Sequence, residues 1–389
     1  MNILFYCQHV LGVGHLRRSL AIAEALAGER LSIVSGGPEA PLPYPDHVES
    51  IRLPGLRMDE NFSELFPVDP QTNLEEVKAL RREKLFQAMD EIRPDVFLVE
   101  LFPFGRRGFA FELDPLLTAA RQGRFGPVKT VVSLRDALVE KKKQEKYEAW
   151  VLDRLNRLFD LLLIHADPKL LSLDETFSRT GDIACPVRYT GYVATPAASG
   201  ARGRKRRELG LADGQRLFVV SAGGGQVGGP VLAAALEAFT RLETKNARLR
   251  MFAGPYLDAA TFSKLETRAK DLPGAEVLRF SRDFATELAA ADASLSMAGY
   301  NTTMDLLASG IPAAVWPFGQ NREQRMRAAR LERLGGPAVL EDADLAPDLL
   351  ARRMDRLAAT PRRTGPPPVD LNGAQTSARL LLNLMGEMR

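Results

Sequence analysis

Short runs of apolar residues alternate along most of this chain with longer stretches whose apolar positions recur every three or four residues. In the first half the short runs predict strands at 2–6, 31–35, 95–100, 128–134 and 161–165. The periodic stretches between them predict helices at 15–27, 74–92, 114–121 and 137–159. Brief, fully apolar strands between amphipathic helices indicate a parallel sheet covered on both faces. Around 191–207 the pattern breaks into small residues and a basic run, then restarts. Strands are expected at 217–221, 249–253, 276–280, 293–296 and 313–316, with helices between them, and a last helix at 374–388 after the break at 365–368. The reading is α/β: two doubly wound parallel-sheet domains at 1–195 and 211–372, a linker at 196–210, and a final segment, 373–389, that packs back on the first domain. Ligands in such sheets bind outside the carboxyl ends of the strands, so two facing domains would take theirs in the cleft between them.

Composition narrows the function. The 389 residues are 45% hydrophobic and 26% charged, an ordinary globular balance. A net charge of only +3 argues against a nucleic-acid partner, which would demand many phosphate contacts. The two cysteines, Cys7 and Cys185, stand far apart and suggest no disulfide framework. No basic leader precedes the first apolar run, and no run approaches the roughly 20 residues of a membrane span. These features point to a cytoplasmic protein. Two basic runs, 141–143 and 202–207, are read as solvated surface or linker. The sharper alternative is a peripheral footing on anionic lipid at the inner face of a membrane.

Two glycine loops carry candidate chemistry. Gly12 and Gly14 follow the first strand and allow a tight turn with close backbone approach. The third glycine of a dinucleotide fingerprint is missing, with Leu16 and Arg17 in that region, and Gly36-Gly37 ends the second strand where an acidic residue would stand. His15 opens the following helix. It is either a general base acting on a hydroxyl or a structural, helix-capping histidine. The second loop, Gly223, Gly224, Gly225, Gln226 through Gly229, follows the first strand of the second domain and suits a backbone cradle for phosphate. It lacks a Walker ending. Farther on, Gly299-Tyr300-Asn301-Thr302 turns a strand into a helix that carries Asp305, and Glu323-Gln324 follows the next strand. A helix start of that kind is aimed at an anion.

Taken together, these motifs resemble the GT-B glycosyltransferases, and most closely the MurG-type enzymes that move N-acetylglucosamine onto a lipid-linked muropeptide. The resemblance implies two Rossmann-like domains. It implies that Gly299, Tyr300, Asn301 and Thr302 present N–H groups to a diphosphate and that Gln226 stands near the donor phosphates or the acceptor. Asp305 falls where the family has a glutamate for the ribose hydroxyls. Glu323 and Gln324 fall where a pair of polar side chains grips the donor sugar, and His15 falls at the base. The implied partners are a nucleotide sugar, expected to be UDP-linked, and a hydroxyl acceptor of lipid-linked or envelope-glycan type.

The acceptor half departs from that family. The segments 99–107 and 133–136 have no counterpart in it, and both follow strands. Glu100 or Asp136 is expected to orient His15 or bind acceptor, and Arg106 or Arg135 to bind an acidic acceptor group. The expected reaction is an inverting transfer without cofactor or metal. Asp342-Ala343-Asp344 is read as helix-start charge, and Cys7, His9 and His15 lack a recognised zinc spacing. Two other readings stay open. A UDP-sugar hydrolase with a Gly-x-Gly-His-x-x-Arg loop matches Gly12, Gly14, His15 and Arg18, and an inactive nucleotide-sugar-binding module would keep the donor stretch alone. A sugar-nucleotide 2-epimerase is a further rival whose additional acidic residues are not evident.

Overall fold

The computed structural model describes residues 1–9, 13–58, 64–136, 138, 143–225, 227–319 and 322–386, and counts refer to these. The chain divides into two compact units, Met1–Val193 with Asn372–Arg389, and Ala194–Leu371. The first contains β1 (Asn2–Cys7), β2 (Arg30–Ser35), β3 (Val48–Arg52), a short antiparallel pair β4 (Leu56–Met58) and β5 (Leu65–Pro67), then β6 (Val96–Glu100), β7 (Lys129–Arg135), β8 (Leu161–His165) and β9 (Val187–Tyr189). Its helices are α1 (Gly14–Glu24), α2 (Leu74–Ile92), α3 (Ala110–Arg121) and α4 (Gln144–Leu158).

Seven of these strands form one parallel sheet in the order β3-β2-β1-β6-β7-β8-β9. The order reverses direction beside β1, where the crossovers leave for opposite edges. Central β6 and β8 are buried at every position, which is why their sequences read as continuous apolar runs. Edge strand β3 instead alternates buried Val48 with exposed Glu49 and Ser50, and the apolar-run criterion passes over it.

The second unit holds β10 (Arg216–Ser221), β11 (Ala247–Phe252), β12 (Ala275–Leu278), β13 (Ala293–Met297), β14 (Ala313–Trp316) and β15 (Ala338–Val339), parallel in the order β12-β11-β10-β13-β14-β15. Around them lie α5 (Ala201–Glu208), α6 (Gly229–Phe239), α7 (Ala259–Lys270), α8 (Phe284–Ala290), α9 (Tyr300–Ser309), α10 (Arg322–Arg333) and α11 (Pro347–Ala359). A final helix, α12 (Gly373–Gly386), belongs to the first unit. Its Ala374, Ala378 and Leu381 enter the same core as Leu16 and Leu20 of α1. Gly373 N–H donates to Tyr192 O at 2.9 Å, and a Cβ at Gly373 would lie 2.4 Å from Gly191 O.

The segment 196–210, expected as a linker, differs from that expectation. Its basic run folds as α5 and turns inward. Arg202 and Arg206 pair with Asp292 at 2.7 and 3.0 Å, and Arg202 Nη1 donates to the carbonyls of Ala289, Ala290 and Ala291. Arg362 donates to Leu288, Ala289 and Ala291 from another direction. These guanidinium groups satisfy the carbonyls at the C-terminal end of α8 and complement its dipole. The basicity of 202–207 is thus spent largely on folding, and Lys143 alone of the run 141–143 is a described residue.

The first unit is locked by a buried ion pair. Fully buried Arg81 of α2 donates to both carboxylate oxygens of Glu112 on α3, at 2.6 and 2.9 Å. It also donates to Gln8 Oε1 at 2.8 Å and to the carbonyls of Pro54 (2.7 Å) and Gly36 (3.2 Å), while Tyr6 O–H donates to Glu112. A Cβ at Gly36 would sit 2.1 Å from Arg81 Nη1, so glycine is needed for the guanidinium to lie there. Removing one member of such a set strands a buried charge. Arg81→Ala is expected to cost about 3–5 kcal/mol of unfolding free energy in chemical denaturation. A loss under about 1 kcal/mol would show that the pair is incidental.

Candidate active site

The carboxyl edge of the first sheet collects most of that unit's buried polar side chains. Register places Glu100 of β6 opposite Ser133 of β7, and Arg135 of β7 opposite His165 of β8. The turn after β1 brings His15, the second residue of α1, to the same edge.

Glu100 is the centre of this group. It is fully buried, and its Oε1 accepts from His15 Nδ1 at 2.6 Å and from Arg18 Nη2. Arg18 lies three residues after His15, so both project from one face of α1. A carboxylate only accepts, so the His15 proton lies on Nδ1 and the lone pair on Nε2. Burial lowers the His15 pKa to about 4, and Arg106 and Arg18 push the same way against Glu100. Burial by itself raises Glu100, but His15, Arg18 and Arg106 bring it down to about 2. At neutral pH the pair is therefore a neutral imidazole on an ionised carboxylate, the state a general base requires.

Arg106 follows β6 in a left-handed backbone conformation, φ 59°, and is 9% exposed. Its charge acts on both Glu100 and His15. Arg135 Nε lies 4.0 Å from buried Asp136 Oδ1. The carboxylate that His15 Nδ1 meets is Glu100, which takes the orienting place that the sequence left open between Glu100 and Asp136. Fully buried His165 bonds Ser133 Oγ at 2.7 Å and Thr190 Oγ1 at 2.9 Å, and burial lowers its pKa to about 3. His9 Nε2 donates to Pro38 O at 2.7 Å, and burial lowers its pKa as well. Gly14 starts α1, whereas Gly12 lies outside the described residues.

In the second unit, register sets Ser221 of β10 beside Ser296 of β13, and Met297 beside Trp316 of β14. The loops that leave these ends are neighbours. A Cβ at Gly223 would lie 3.6 Å from Thr302 Oγ1, so the glycine loop runs alongside the first turn of α9. Gly299 is the N-cap, no side chain caps the helix, and a Cβ there would meet nothing within 4 Å. An open helix start with no acidic residue in its first turn favours an anion. The loop glycines serve packing too. Gly225 and Gly254 have φ of 93° and 87°, and a Cβ at Gly254 would stand 2.5 Å from Gly225 N. Gly224 has open space, and Gln226 lies outside the described residues.

Asp305 is not a surface charge; it is 3% exposed and accepts a long bond, 3.5 Å, from Thr195 N–H. Glu323 is buried on α10, and Gln324 Oε1 accepts from Phe318 N–H at 3.2 Å, fixing the loop after β14. Two arginines escaped the sequence reading as site residues. One is Arg18, whose spacing from His15 was the available signal. The other is buried Arg327, whose Nη2 donates to Ala298 O at 3.1 Å and whose guanidinium lies 5.7 Å from the Tyr300 ring. It holds the turn into α9 from below. Asp342 accepts from Trp316 Nε1 at 2.9 Å, and Asp344 pairs with Arg353 at 3.1 Å and with Glu341 N–H at 3.0 Å. Among the described residues no group of three His, Cys, Asp or Glu is arranged to bind a metal, and no helix is long and apolar enough to cross a membrane.

With this geometry in place, likenesses to known proteins become informative. Residues 218–375 match the glycosyltransferase family 28 C-terminal domain. The UDP-N-acetylglucosamine--N-acetylmuramyl-(pentapeptide) pyrophosphoryl-undecaprenol N-acetylglucosamine transferase of Acidothermus cellulolyticus is 32% identical over 161 residues, 41% of this chain and 43% of that relative. Its namesake from Mycobacterium avium is 31% identical over 183 residues, 46% of this chain and 43% of the relative. The chain thus spans less than half the length of these relatives. The Acinetobacter baumannii MurG structure aligns with 98% of this chain and 100% of its own at TM-score 0.55 and 14% identity. A UDP-GlcNAc 2-epimerase from Methanocaldococcus jannaschii aligns with 98% and 100% at TM-score 0.60 and 10% identity. At such identities the likeness is one of fold, and with the two parallel sheets it establishes GT-B.

Half-buried His15 and buried His165 give the first unit a defined acid sensitivity. In the unfolded chain they protonate near the ordinary value of 6.5, whereas His15 and His165 in the fold resist to about 4 and about 3. Below pH 6.5 the unfolded state binds more protons, so stability is fully present above that pH and falls beneath it. Each ring is expected to remove about 1.4 kcal/mol per pH unit once well below 6.5. Denaturation midpoints from pH 7 to about 5 test this, and His165→Asn should flatten the slope. A profile already flat in the parent protein would contradict the assignment.

Proposed function

We propose that this chain, whose residues 218–375 match the glycosyltransferase family 28 C-terminal domain, transfers a sugar from a nucleoside diphosphate sugar to a hydroxyl acceptor. The observation that carries the reading is the open start of α9 beside the Gly223 loop, inside the matched domain. UDP-N-acetylglucosamine is the donor to try first, because the relatives' names contain it.

In this reading the amides of Gly299–Thr302 and the loop Gly223–Gly225, with Gln226, take the diphosphate. Charge grows there as the glycosidic bond breaks, and fixed N–H groups and a helix dipole stabilise it. Asp305 serves the ribose hydroxyls, and Glu323 and Gln324 serve the sugar. His15 Nε2 removes the proton from the attacking hydroxyl, and Glu100 stabilises the imidazolium that forms. Direct displacement inverts the anomeric centre. No metal is assigned, a choice supported by the structural partners of Asp342 and Asp344. The acceptor's identity is the open half; lipid-linked acceptors belong to the relatives' names, and a peripheral membrane contact is part of that reading.

UDP is expected to bind in calorimetry, and His15→Ala is expected to leave that affinity intact while turnover falls about 100-fold or more. Turnover should survive EDTA, and Asp305→Asn should weaken UDP binding about 10-fold. Full activity in His15→Ala would remove the base. Free sugar released in water at the full rate would mean hydrolysis instead of transfer.

A further inference from the structure

Arg106, at the carboxyl edge of the first unit, has no part in the proposed reaction. It is only 9% exposed, yet its side chain makes no hydrogen bond or ion pair among the described residues, and its Nε is a buried donor without an acceptor. Its neighbours are treated differently. Arg18 is engaged by Glu100, and Arg135 lies 4.0 Å from Asp136. Desolvating a guanidinium without a partner is costly, and a left-handed φ at a non-glycine residue adds to the cost. Both costs fall at the position beside the His15–Glu100 pair. A residue held against its own stability at a reaction centre is one whose partner arrives with the ligand.

The local charge indicates what that partner is. Arg18 has Glu100 and Arg135 has Asp136 as a counter-charge, whereas Arg106 is a cation without an ion pair among the described residues. One such charge on a planar fork matches one carboxylate, which a guanidinium grips through two parallel hydrogen bonds. A diphosphate would bring more negative charge than one guanidinium balances. We propose that Arg106 receives the carboxylate of an acidic hydroxyl acceptor and so holds the attacked hydroxyl against His15. This rests on the transferase reading above, and it makes Arg106 a specificity-determining residue on the acceptor side.

The test titrates the full chain, saturated with UDP, with glucose, glucuronate and glucose 6-phosphate in calorimetry. Saturating UDP keeps phosphate groups out of the donor loops. Glucuronate is expected to bind about 10-fold or more tightly than glucose. That advantage should vanish in Arg106→Gln and persist in Arg204→Gln, an exposed position of the second unit. Arg106→Lys, with charge but no fork, should retain part of it. Because the guanidinium makes no hydrogen bond or ion pair among the described residues, Arg106→Met should lower the melting temperature only slightly, through the lost attraction to Glu100. Equal binding of glucose and glucuronate, an advantage unchanged in Arg106→Gln, or a stronger response to glucose 6-phosphate would each overturn the proposal. A large drop in melting temperature for Arg106→Met would do the same, by revealing a structural role. Failure of UDP to bind would count against the transferase reading alone, since the Arg106 dependence is scored separately.

Discussion

A single buried carboxylate organises the chemistry of the first domain. Glu100 ends β6 in the middle of the sheet, where no water offsets its charge. It persists as an anion because Arg18 and His15 donate to one of its oxygens. That constraint fixes three things together. Arg18 must reach back from α1, so the helix is pinned to the sheet. His15 must carry its proton on Nδ1, so its basic nitrogen is Nε2. The loop after β6 must pass beside the pair, which brings Arg106 with it.

The fold explains why these residues meet. In a doubly wound parallel sheet the strands end on one edge, and each crossover begins there. His15, Glu100, Arg135 and His165 come from four separate segments: register aligns the three strand residues, and the start of α1 adds His15. The second unit repeats the plan with different contents. Its edge has open backbone at Gly299 and Gly224, and its arginines Arg202, Arg206 and Arg362 are turned to the carbonyls that close α8. One edge is thus built from charged side chains, the other from amides. The Arg81–Glu112 pair ties α2 and α3 to the ends of β1 and β2 through Gln8 and Gly36.

The central strands and the glycine turns were legible in the sequence because burial on both faces leaves an unbroken apolar run, and a turn that must pass close to backbone leaves glycine. Edge strands such as β3 and β15 were not, since β3 exposes Glu49, Ser50 and Arg52 and β15 is only two residues long. The run 202–207 misled for a related reason: composition records charge but not its partner, and Asp292 is 90 residues from Arg202 (292 − 202). The same limit governed the site. His15 and Glu100 could each be singled out by position, but their pairing spans 85 residues and is set by the β1–β6 register. Arg18 was visible within the first glycine loop motif, yet its function as the second donor to Glu100 depended on that long-range contact. Asp305 could be singled out by its place in the motif, but its burial beside Thr195, 110 residues away, could not.

The central claim is that His15 rests on Glu100 as a neutral ring with its proton on Nδ1. Nitrogen NMR of histidine-labelled protein reads this directly, with His15→Ala used to assign the resonance. At pH 7 the account requires a protonated Nδ1 and an unprotonated Nε2, with no conversion to imidazolium until the pH approaches about 4. Glu100→Gln should abolish the tautomer preference. An imidazolium at neutral pH, or a proton on Nε2, would contradict the account.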